Sequence, residues 1–263
     1  MTDLTGKVAL ISGTGRGVGR AAALEFVARG AMVFGADLDA AANAETERLA
    51  ESQLRLAVAE KGQMRSLAPV DLGNQVGADA WTAAAVEAFG GIDILYNNAS
   101  ALRHGPIDTI PEADWYFTIQ NELHLVFHCV RAAWPHLVAR GGGVIINVAS
   151  VAAKRGVAFT PMAPHGAAKG AVLALTRHLA AQGADVGIRA NTISPGMIRT
   201  PETAQFVDDP DGPVPGLLAQ TPSRRVGEPA DVAKLAAFLA GDDATFINGA
   251  DIAIDGGVSA MGG

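Results

Sequence analysis

The sequence has little of what a secreted or membrane-spanning protein needs. Only one of its 263 residues, Cys129, is a cysteine, so no disulfide can form within the chain. No apolar run approaches the roughly 20 residues of a membrane-spanning helix. The first residues, MTDLTGKVALISG, lack the charged start and small-residue cleavage site of a signal peptide. We therefore expect a soluble, cytoplasmic protein.

Positive charge is also scarce. The net charge is −7, the pI is about 5.3, and no long run of Lys or Arg occurs. This balance argues against nucleic acid and anionic membranes as partners and leaves a small-molecule substrate. What the chain does contain is 49% hydrophobic residues. At this length that is enough for a sizeable core, and we expect residues 1–263 to form one domain.

Short apolar runs and helical patterns alternate along the whole chain. The strand-like runs are 7–12, 31–37, 64–71, 92–98, 143–150, 186–196 and 250–257. The helical stretches are 20–30, 39–61, 75–90, 112–139, 165–182 and 229–241. This alternation predicts an α/β fold with a doubly wound parallel sheet of the Rossmann type, about seven strands with helices on both faces. The strands do not alternate apolar with polar residues, which is expected when both faces are buried.

One segment interrupts this alternation. Residues 199–225 are rich in proline and acidic residues and follow the predicted strand 186–196. In open α/β sheets, ligands bind in the crevice at the carboxyl ends of the strands. A long insertion there is therefore expected to cover a bound substrate, and we predict a lid near 197–225. The alternative is an ordinary surface loop.

A glycine-rich turn, S-G-T-G-R-G-V-G, joins the first predicted strand to the first helix. Gly13, Gly17 and Gly19 permit a tight turn, and the helix N-terminus that follows can face a pyrophosphate. Asp37 ends the second strand, where a carboxylate accepts hydrogen bonds from a ribose 2′-hydroxyl and repels a 2′-phosphate. Arg16 argues slightly the other way, because its guanidinium could pair with that phosphate. The charge clash at Asp37 is direct, so we predict NAD rather than NADP.

Three further motifs follow along the chain: NNAS at 97–100, INVAS at 146–150 and ISPGMIRT at 193–200. The turn itself has the spacing G-x-x-x-G-x-G, and PVDLG, IQNEL and IDGG add to the set. Together these motifs resemble the short-chain dehydrogenase/reductase family over nearly the whole chain. NNAS departs from the family's N-N-A-G, since Ser100 replaces the glycine.

The resemblance implies an oxidoreductase that transfers a hydride between a nicotinamide and a secondary alcohol or ketone, commonly as a homotetramer. It gives Ser150 the role of orienting the substrate oxygen, Lys169 that of holding the ribose, and Asn121 that of holding a proton-relay water. Asp71 matches the acid that contacts the adenine, and Thr200 the position that binds the carboxamide. With the glycine turn, the cofactor-binding positions are Gly13, Arg16, Gly17, Val18, Gly19, Asp37, Asp71, Leu72, Asn98, Ala99, Lys169, Pro195, Gly196, Ile198 and Thr200.

The chain departs from the family at the centre of the chemistry. The family has a tyrosine four residues before the active-site lysine, whereas PHGAAKG has His165 four residues before Lys169. Residues four apart lie on one face of a helix, so the two side chains are predicted to be neighbours. The chain has only two tyrosines, and neither Tyr96, in the fourth strand, nor Tyr116, just before Asn121, can fill the position.

A histidine can serve as a general base, because the reference pKa of imidazole, about 6.5, lies nearer neutrality than the value of about 10 for a phenol. The ammonium of Lys169 disfavours an imidazolium, so we expect a neutral His165 that favours alcohol oxidation. Since imidazole reaches less far than a phenol, His165 is expected to act through a water or on a deeper substrate. The alternatives are altered chemistry, such as imine reduction or enolisation, and NAD binding without catalysis.

Two other patterns indicate sites less clearly. His124 and His128 have the spacing of metal ligands on a helix, but Leu125 stands where the zincin pattern needs Glu and no third ligand is evident. We therefore predict packing or interface histidines and no metal. Ser150 lacks the G-x-S-x-G surroundings of a hydrolase nucleophile, so we do not expect a hydrolase.

Basic residues follow two predicted strands at the edge where ligands bind. Arg103 and His104 come after NNAS, and Lys154 and Arg155 come after Ser150. These side chains are placed to pair with a carboxylate or phosphate of the substrate, or else to face solvent.

Overall fold

The computed structural model describes residues 2–56, 62–157 and 160–261. The strands of this part of the chain are β1 (Val8–Ser12), β2 (Met32–Ala36), β3 (Gln63–Leu67), β4 (Ile94–Asn97), β5 (Gly143–Val148), β6 (Ile188–Pro195) and β7 (Asp251–Ile254). They form one sheet in the order β3-β2-β1-β4-β5-β6-β7, and every neighbouring pair is parallel. The predicted fold class is confirmed.

The described α-helices are α1 (Gly17–Ala28), α2 (Ala40–Leu56), α3 (Gln75–Phe89), α4 (Glu112–Ile119), α5 (Leu125–Ala139), α6 (Ala163–Gly183), α7 (Ala204–Val207), α8 (Pro213–Gln220) and α9 (Pro229–Ala240). A π-helical turn, Gln120–His124, joins α4 to α5, so 112–139 is one helical stretch, as predicted. No helix in these described ranges is long and apolar enough to cross a membrane.

The core lies on both faces of the sheet. On one face, residues of α3, α5 and α6 pack together, among them Trp81, Leu137 and Val172. On the other face, α1 and α9 contribute residues such as Phe26 and Leu239. These side chains are almost fully buried, which explains why the strands are apolar throughout.

Several element boundaries differ from the predicted ones. β3 ends at Leu67 instead of 71, because Pro69 has no N–H to donate to the sheet. α1 begins at Gly17, three residues early, and α6 begins two residues early, with Pro164 in its first turn, where the missing N–H costs nothing. The last part of the predicted helix 39–61, residues 57–61, lies outside the described residues.

The segment predicted as a lid, 197–225, follows β6 and contains α7 and α8. It begins beside the glycine turn. Arg16 Nε lies 2.7 Å from Glu202 Oε1, and a Cβ on Gly17 would lie 3.4 Å from Thr200 Cγ2. The segment therefore lies at the carboxyl ends of the strands.

Candidate active site

The direction of strand order reverses between β1 and β4, and the ends of these two strands are tied together. Ser12 ends β1, and its Oγ accepts hydrogen bonds from the backbone N–H groups of Asn98 and Ala99, both at 3.0 Å. The Asn98 side-chain amide also donates to the Ser12 carbonyl at 3.1 Å. Ligands of open α/β sheets bind at this point of reversal, so the chain after β1 and β4 borders the expected crevice.

The glycine turn after β1 has the geometry of a phosphate cradle. Gly13 and Gly17 have φ values of +74° and +54°, in the left-handed region that favours glycine. The N-cap of α1, Arg16, makes no side-chain cap, and the first turn contains no acidic residue. The N–H groups of that turn are therefore left to bind an anion, and the turn fits the pyrophosphate of a dinucleotide.

Gly19 is the position of this turn where a side chain is least tolerated. A Cβ there would lie 1.9 Å from the Gly13 carbonyl oxygen. We expect Gly19→Ala to lower the free energy of unfolding by about 1–3 kcal/mol and to weaken NADH binding, measured by denaturant unfolding and by NADH fluorescence titration. Gly216→Ala, where nothing lies within 4 Å, is the control. If Gly19→Ala bound NADH with wild-type affinity, the glycine turn would not be part of the cofactor site.

Two carboxylates predicted to bind the cofactor, Asp37 and Asp71, lie in the loops that follow β2 and β3. Asp37 Oδ2 accepts from the Gly15 N–H at 2.7 Å, which fixes it against the glycine turn. Asp71 Oδ1 accepts from the Gly73 N–H at 2.8 Å. Leu72, the residue after Asp71, is buried. Each carboxylate thus stands at the edge of the sheet where the glycine turn lies.

The segment after β6 is anchored by backbone hydrogen bonds. The Gly196 N–H donates to the Ile254 carbonyl at 3.1 Å, which ties the segment to β7. Ile198 is buried, and the Thr200 N–H donates to Thr203 Oγ1 at 2.9 Å. Pro195, the last residue of β6, and these neighbours lie together at the carboxyl edge of the sheet.

The centre of the site contains a residue that the sequence analysis missed, Glu122. Its carboxylate is fully buried, and both oxygens contact His165 Nδ1, at 2.9 Å and 2.8 Å. The Ser100 hydroxyl donates to Glu122 Oε1 at 2.6 Å. Lys169 Nζ lies 3.9 Å from the same oxygen. Three elements meet here: the π-helical turn, the first two turns of α6 and the chain after β4.

Glu122 and Lys169, the two buried ionisable groups of this cluster, influence each other's pKa. Burial raises the pKa of Glu122, but Lys169 and the hydrogen bonds from His165 and Ser100 together outweigh burial, so this pKa lies below its ordinary value. Burial lowers the pKa of Lys169, and Glu122 opposes this shift. The lowered pKa of Glu122 favours its ionised carboxylate, and that carboxylate in turn favours the protonated form of the buried Lys169.

The other predicted catalytic residues border the same region. Ser150 Oγ accepts from the Ala152 N–H at 3.1 Å, which leaves its own hydroxyl proton free to donate. Lys169 Nζ donates to the Val148 carbonyl at 3.0 Å, at the end of β5. Asn121, next to Glu122, uses its side-chain amide to donate to a carbonyl one turn earlier in the helix, at 2.8 Å.

The basic residues after β4 and β5 are mostly engaged. Lys154 Nζ forms an ion pair with the largely buried Asp251, and Arg155 donates to a backbone carbonyl. The Arg103 guanidinium lies over an aromatic ring, 4.4 Å from its centroid. His104 is exposed. Lys154 and Arg155 therefore already have partners within the protein and are less available to pair with a substrate anion.

The two histidines with metal-ligand spacing bond to glutamine side chains. His124 Nδ1 lies 2.8 Å from Gln120 Oε1, and His128 Nδ1 lies 3.1 Å from Gln75 Oε1. Within the described ranges, no group of three or more His, Cys, Asp or Glu side chains could hold a metal ion.

Known proteins resemble this chain over almost its whole length. A family model described as enoyl-(acyl carrier protein) reductase matches residues 13–259. The chain is 36% identical to 2-(R)-hydroxypropyl-CoM dehydrogenase of Xanthobacter autotrophicus, covering 97% of this chain and 99% of that protein. It is 35% identical to D-threitol dehydrogenase of Mycolicibacterium smegmatis, covering 97% and 93%. A 7α-hydroxysteroid dehydrogenase, solved with NADH and 7-oxo glycochenodeoxycholic acid, aligns with a TM-score of 0.89 at 30% identity, covering 97% and 95%.

Fold, motifs and relatives define one class of protein, the nicotinamide-linked oxidoreductases that act on an alcohol or a ketone. The chain belongs to the short-chain dehydrogenase/reductase family. The resemblance drawn from its motifs is confirmed.

Proposed function

We propose that this protein is an NAD-dependent dehydrogenase that oxidises a secondary alcohol to a ketone, or reduces that ketone, with His165 in place of the family's phenol. The observation that carries the proposal is the 2.8 Å contact between His165 Nδ1 and the buried carboxylate of Glu122. An ionised carboxylate can only accept, so Nδ1 carries the proton, and in the neutral ring this leaves the lone pair on Nε2. A general base needs such a lone pair.

Each side chain then has a task in oxidation. A nicotinamide cofactor, when bound, supplies the acceptor for the hydride. The hydroxyl of Ser150 donates to the substrate oxygen and orients it, while His165 Nε2 takes the alcohol proton, directly or through a water. The ammonium of Lys169 keeps two N–H groups beyond its bond to the Val148 carbonyl, and these are available to the ribose.

Glu122 also bears on the direction of the reaction. Taken without Glu122, a positive charge on Lys169 disfavours a second positive charge on His165. A neutral ring is the form that accepts the alcohol proton, so this effect favours oxidation. The Glu122 carboxylate contacts Nδ1 directly, whereas Lys169 Nζ is 3.9 Å from that carboxylate. An imidazolium formed at His165 is therefore paired with a negative charge. We infer that the site can also donate a proton to a ketone oxygen in reduction.

The choice of NAD rests on Asp37, whose carboxylate is held beside the glycine turn by the Gly15 N–H. The relative solved with NADH supports a nicotinamide cofactor for this fold. Arg16, which could favour a 2′-phosphate, pairs instead with Glu202 at 2.7 Å.

We expect Asp37→Ala to lower the ratio of kcat/KM for NAD over that for NADP by about tenfold or more, because the repulsion of a 2′-phosphate is lost. The measurement is steady-state kinetics with both cofactors. Asp185→Ala is the control, because Asp185 is an exposed carboxylate before the amino end of β6, away from the cofactor edge of the sheet, and it should leave the ratio unchanged. A wild-type protein that already prefers NADP would show that the assignment of Asp37 is wrong.

The proposal itself is tested by incubating the wild-type protein with NAD and a panel of secondary alcohols and following NADH absorbance. NADH formation with any member supports the proposal and identifies the substrate class. NADH binding without turnover of alcohols, or of ketones with NADH, would favour a nucleotide-binding protein or altered chemistry such as imine reduction.

A further inference from the structure

We propose that Glu122 is a positioning residue for His165, and that Ser100, Glu122 and His165 form one unit that replaces the family's phenol. The inference rests on the proposed function, since it assigns a task within that reaction. Its starting point is that two departures from the family's motifs meet at one carboxylate. Ser100 replaces the glycine of N-N-A-G and His165 replaces the tyrosine, and both side chains bond Glu122.

The fold brings Glu122 into the site through the π-helical turn. The turn Gln120–His124 lies between α4 and α5, and a π-turn widens the helix by one residue. Glu122 lies four residues before Val126 and seven before Cys129, both buried, so its side chain faces the packed side of the helix. Burying a carboxylate there is costly unless hydrogen-bond donors or an opposite charge lie against it. Its partners all belong to the candidate active site.

The contacts specify what Glu122 does. His165 Nδ1 is nearly equidistant from both oxygens, so the ring is held in one orientation with Nε2 directed away from the carboxylate. When Nε2 takes the alcohol proton, both ring nitrogens carry a proton and the ring is positive. Glu122 stays ionised and supplies the countercharge, so no second proton transfer is needed.

Ser100 gives the Glu122 carboxylate a second hydrogen-bond donor besides His165. Its hydroxyl donates to Glu122 Oε1 at 2.6 Å, while Lys169 Nζ stays at 3.9 Å from that atom. Ser100 is exposed and Glu122 is fully buried. Ser100 therefore connects the buried Glu122 carboxylate to the solvent-exposed chain after β4. Its hydrogen bond helps to hold the carboxylate in position against His165.

The test compares Glu122→Gln with a matched control, Glu112→Gln, at an exposed glutamate in the same helical stretch. Glutamine keeps the shape of the side chain but removes its charge and adds an N–H₂ group that competes for His165 Nδ1. We expect kcat to fall about 10²-fold with little change in KM, and Glu112→Gln to behave as wild type. Because Glu122 opposes the downward pKa shift of Lys169, Lys169 should lose its proton at a lower pH in Glu122→Gln, and the loss of rate caused by that deprotonation should begin at a lower pH.

Ser100→Ala gives a second readout. We expect it to lower kcat about tenfold, and the double variant with Glu122→Gln to be no slower than Glu122→Gln alone, because the two residues act as one unit. Additive losses would show that Ser100 acts independently and would overturn the unit as proposed.

The state of the ring can be measured without turnover, by nitrogen-15 NMR of histidine-labelled protein, with the His165 signals assigned from a His165→Gln variant. We expect the Nδ1–H tautomer in the wild type and its loss as the major form in Glu122→Met, whose side chain has no oxygen to accept from Nδ1. An Nε2–H tautomer in the wild type, or an unchanged tautomer in Glu122→Met, would overturn the inference. If the tautomer behaves as expected but no alcohol or ketone is turned over, the proposed function fails and the positioning role stands.

Discussion

Replacing His165 by alanine should lower kcat for alcohol oxidation by about 10²–10⁴-fold, the usual contribution of a positioned acid–base group. The side chain is 12% exposed and its Nδ1 is engaged by Glu122, so Nε2 is the nitrogen available to the substrate. NADH affinity should stay within a few-fold of wild type, because the glycine turn and Asp37 belong to other elements. The measurements are steady-state kinetics and NADH fluorescence titration.

The controls separate loss of the base from loss of structure. His165→Gln keeps a polar side chain of similar reach but cannot take up a proton at neutral pH, and it should be as slow as the alanine variant. His178→Ala changes an exposed histidine on the same helix and should leave kcat unchanged. Turnover at the wild-type rate in His165→Ala would remove this residue from the mechanism.

Lys169→Met should have the second large effect, on stability and activity together. Lys169 is 3% exposed and is the cation nearest to the buried Glu122 carboxylate. Methionine keeps most of the side-chain volume but leaves that carboxylate without its cation. Breaking a buried ion pair from one side typically costs about 3–5 kcal/mol, so the midpoint of denaturant unfolding should fall. Turnover should be lost, because the charge beside His165 and the expected ribose contact are both removed.

The double variant Lys169→Met with Glu122→Gln decides the cause of this effect. If Lys169→Met is unstable because the Glu122 carboxylate has lost its cation, replacing Glu122 by glutamine should restore much of the stability. Activity should stay lost in the double variant. An equally unstable double variant would instead assign the cost to packing around the lysine stem. Full activity in Lys169→Met would contradict its role in the site.

The fold could be predicted because the signals for it are local and repeated. Apolar runs that fill both faces of a sheet, separated by helical patterns, leave few arrangements other than a doubly wound parallel sheet. The predicted boundaries were wrong where proline or glycine lies at the limit of an element. Pro69 stops β3 early, and Gly17 already belongs to α1.

The site was predictable only where residues match a motif. His165 and Lys169 were paired correctly on one helix face, because spacing alone fixes that relation. Glu122 was missed because it lies in the π-helical turn before α5, whereas His165 lies in α6. The spacing of residues along the chain does not predict contacts between segments that are distant in sequence. A signal was nevertheless present. Glu122 falls on the apolar stripe that continues through Val126 and Cys129, and a carboxylate on a buried stripe requires partners.

The claim that this chain transfers a hydride by using His165 is tested most directly by isotope transfer. The protein is incubated with NAD and secondary alcohols deuterated at the carbinol carbon, and NADH is analysed by mass spectrometry. We predict deuterium in the NADH formed by the wild-type protein and at least a 10²-fold slower appearance of label with His165→Gln. No label from the wild type despite intact NADH binding, or equal rates in the two proteins, would contradict the account.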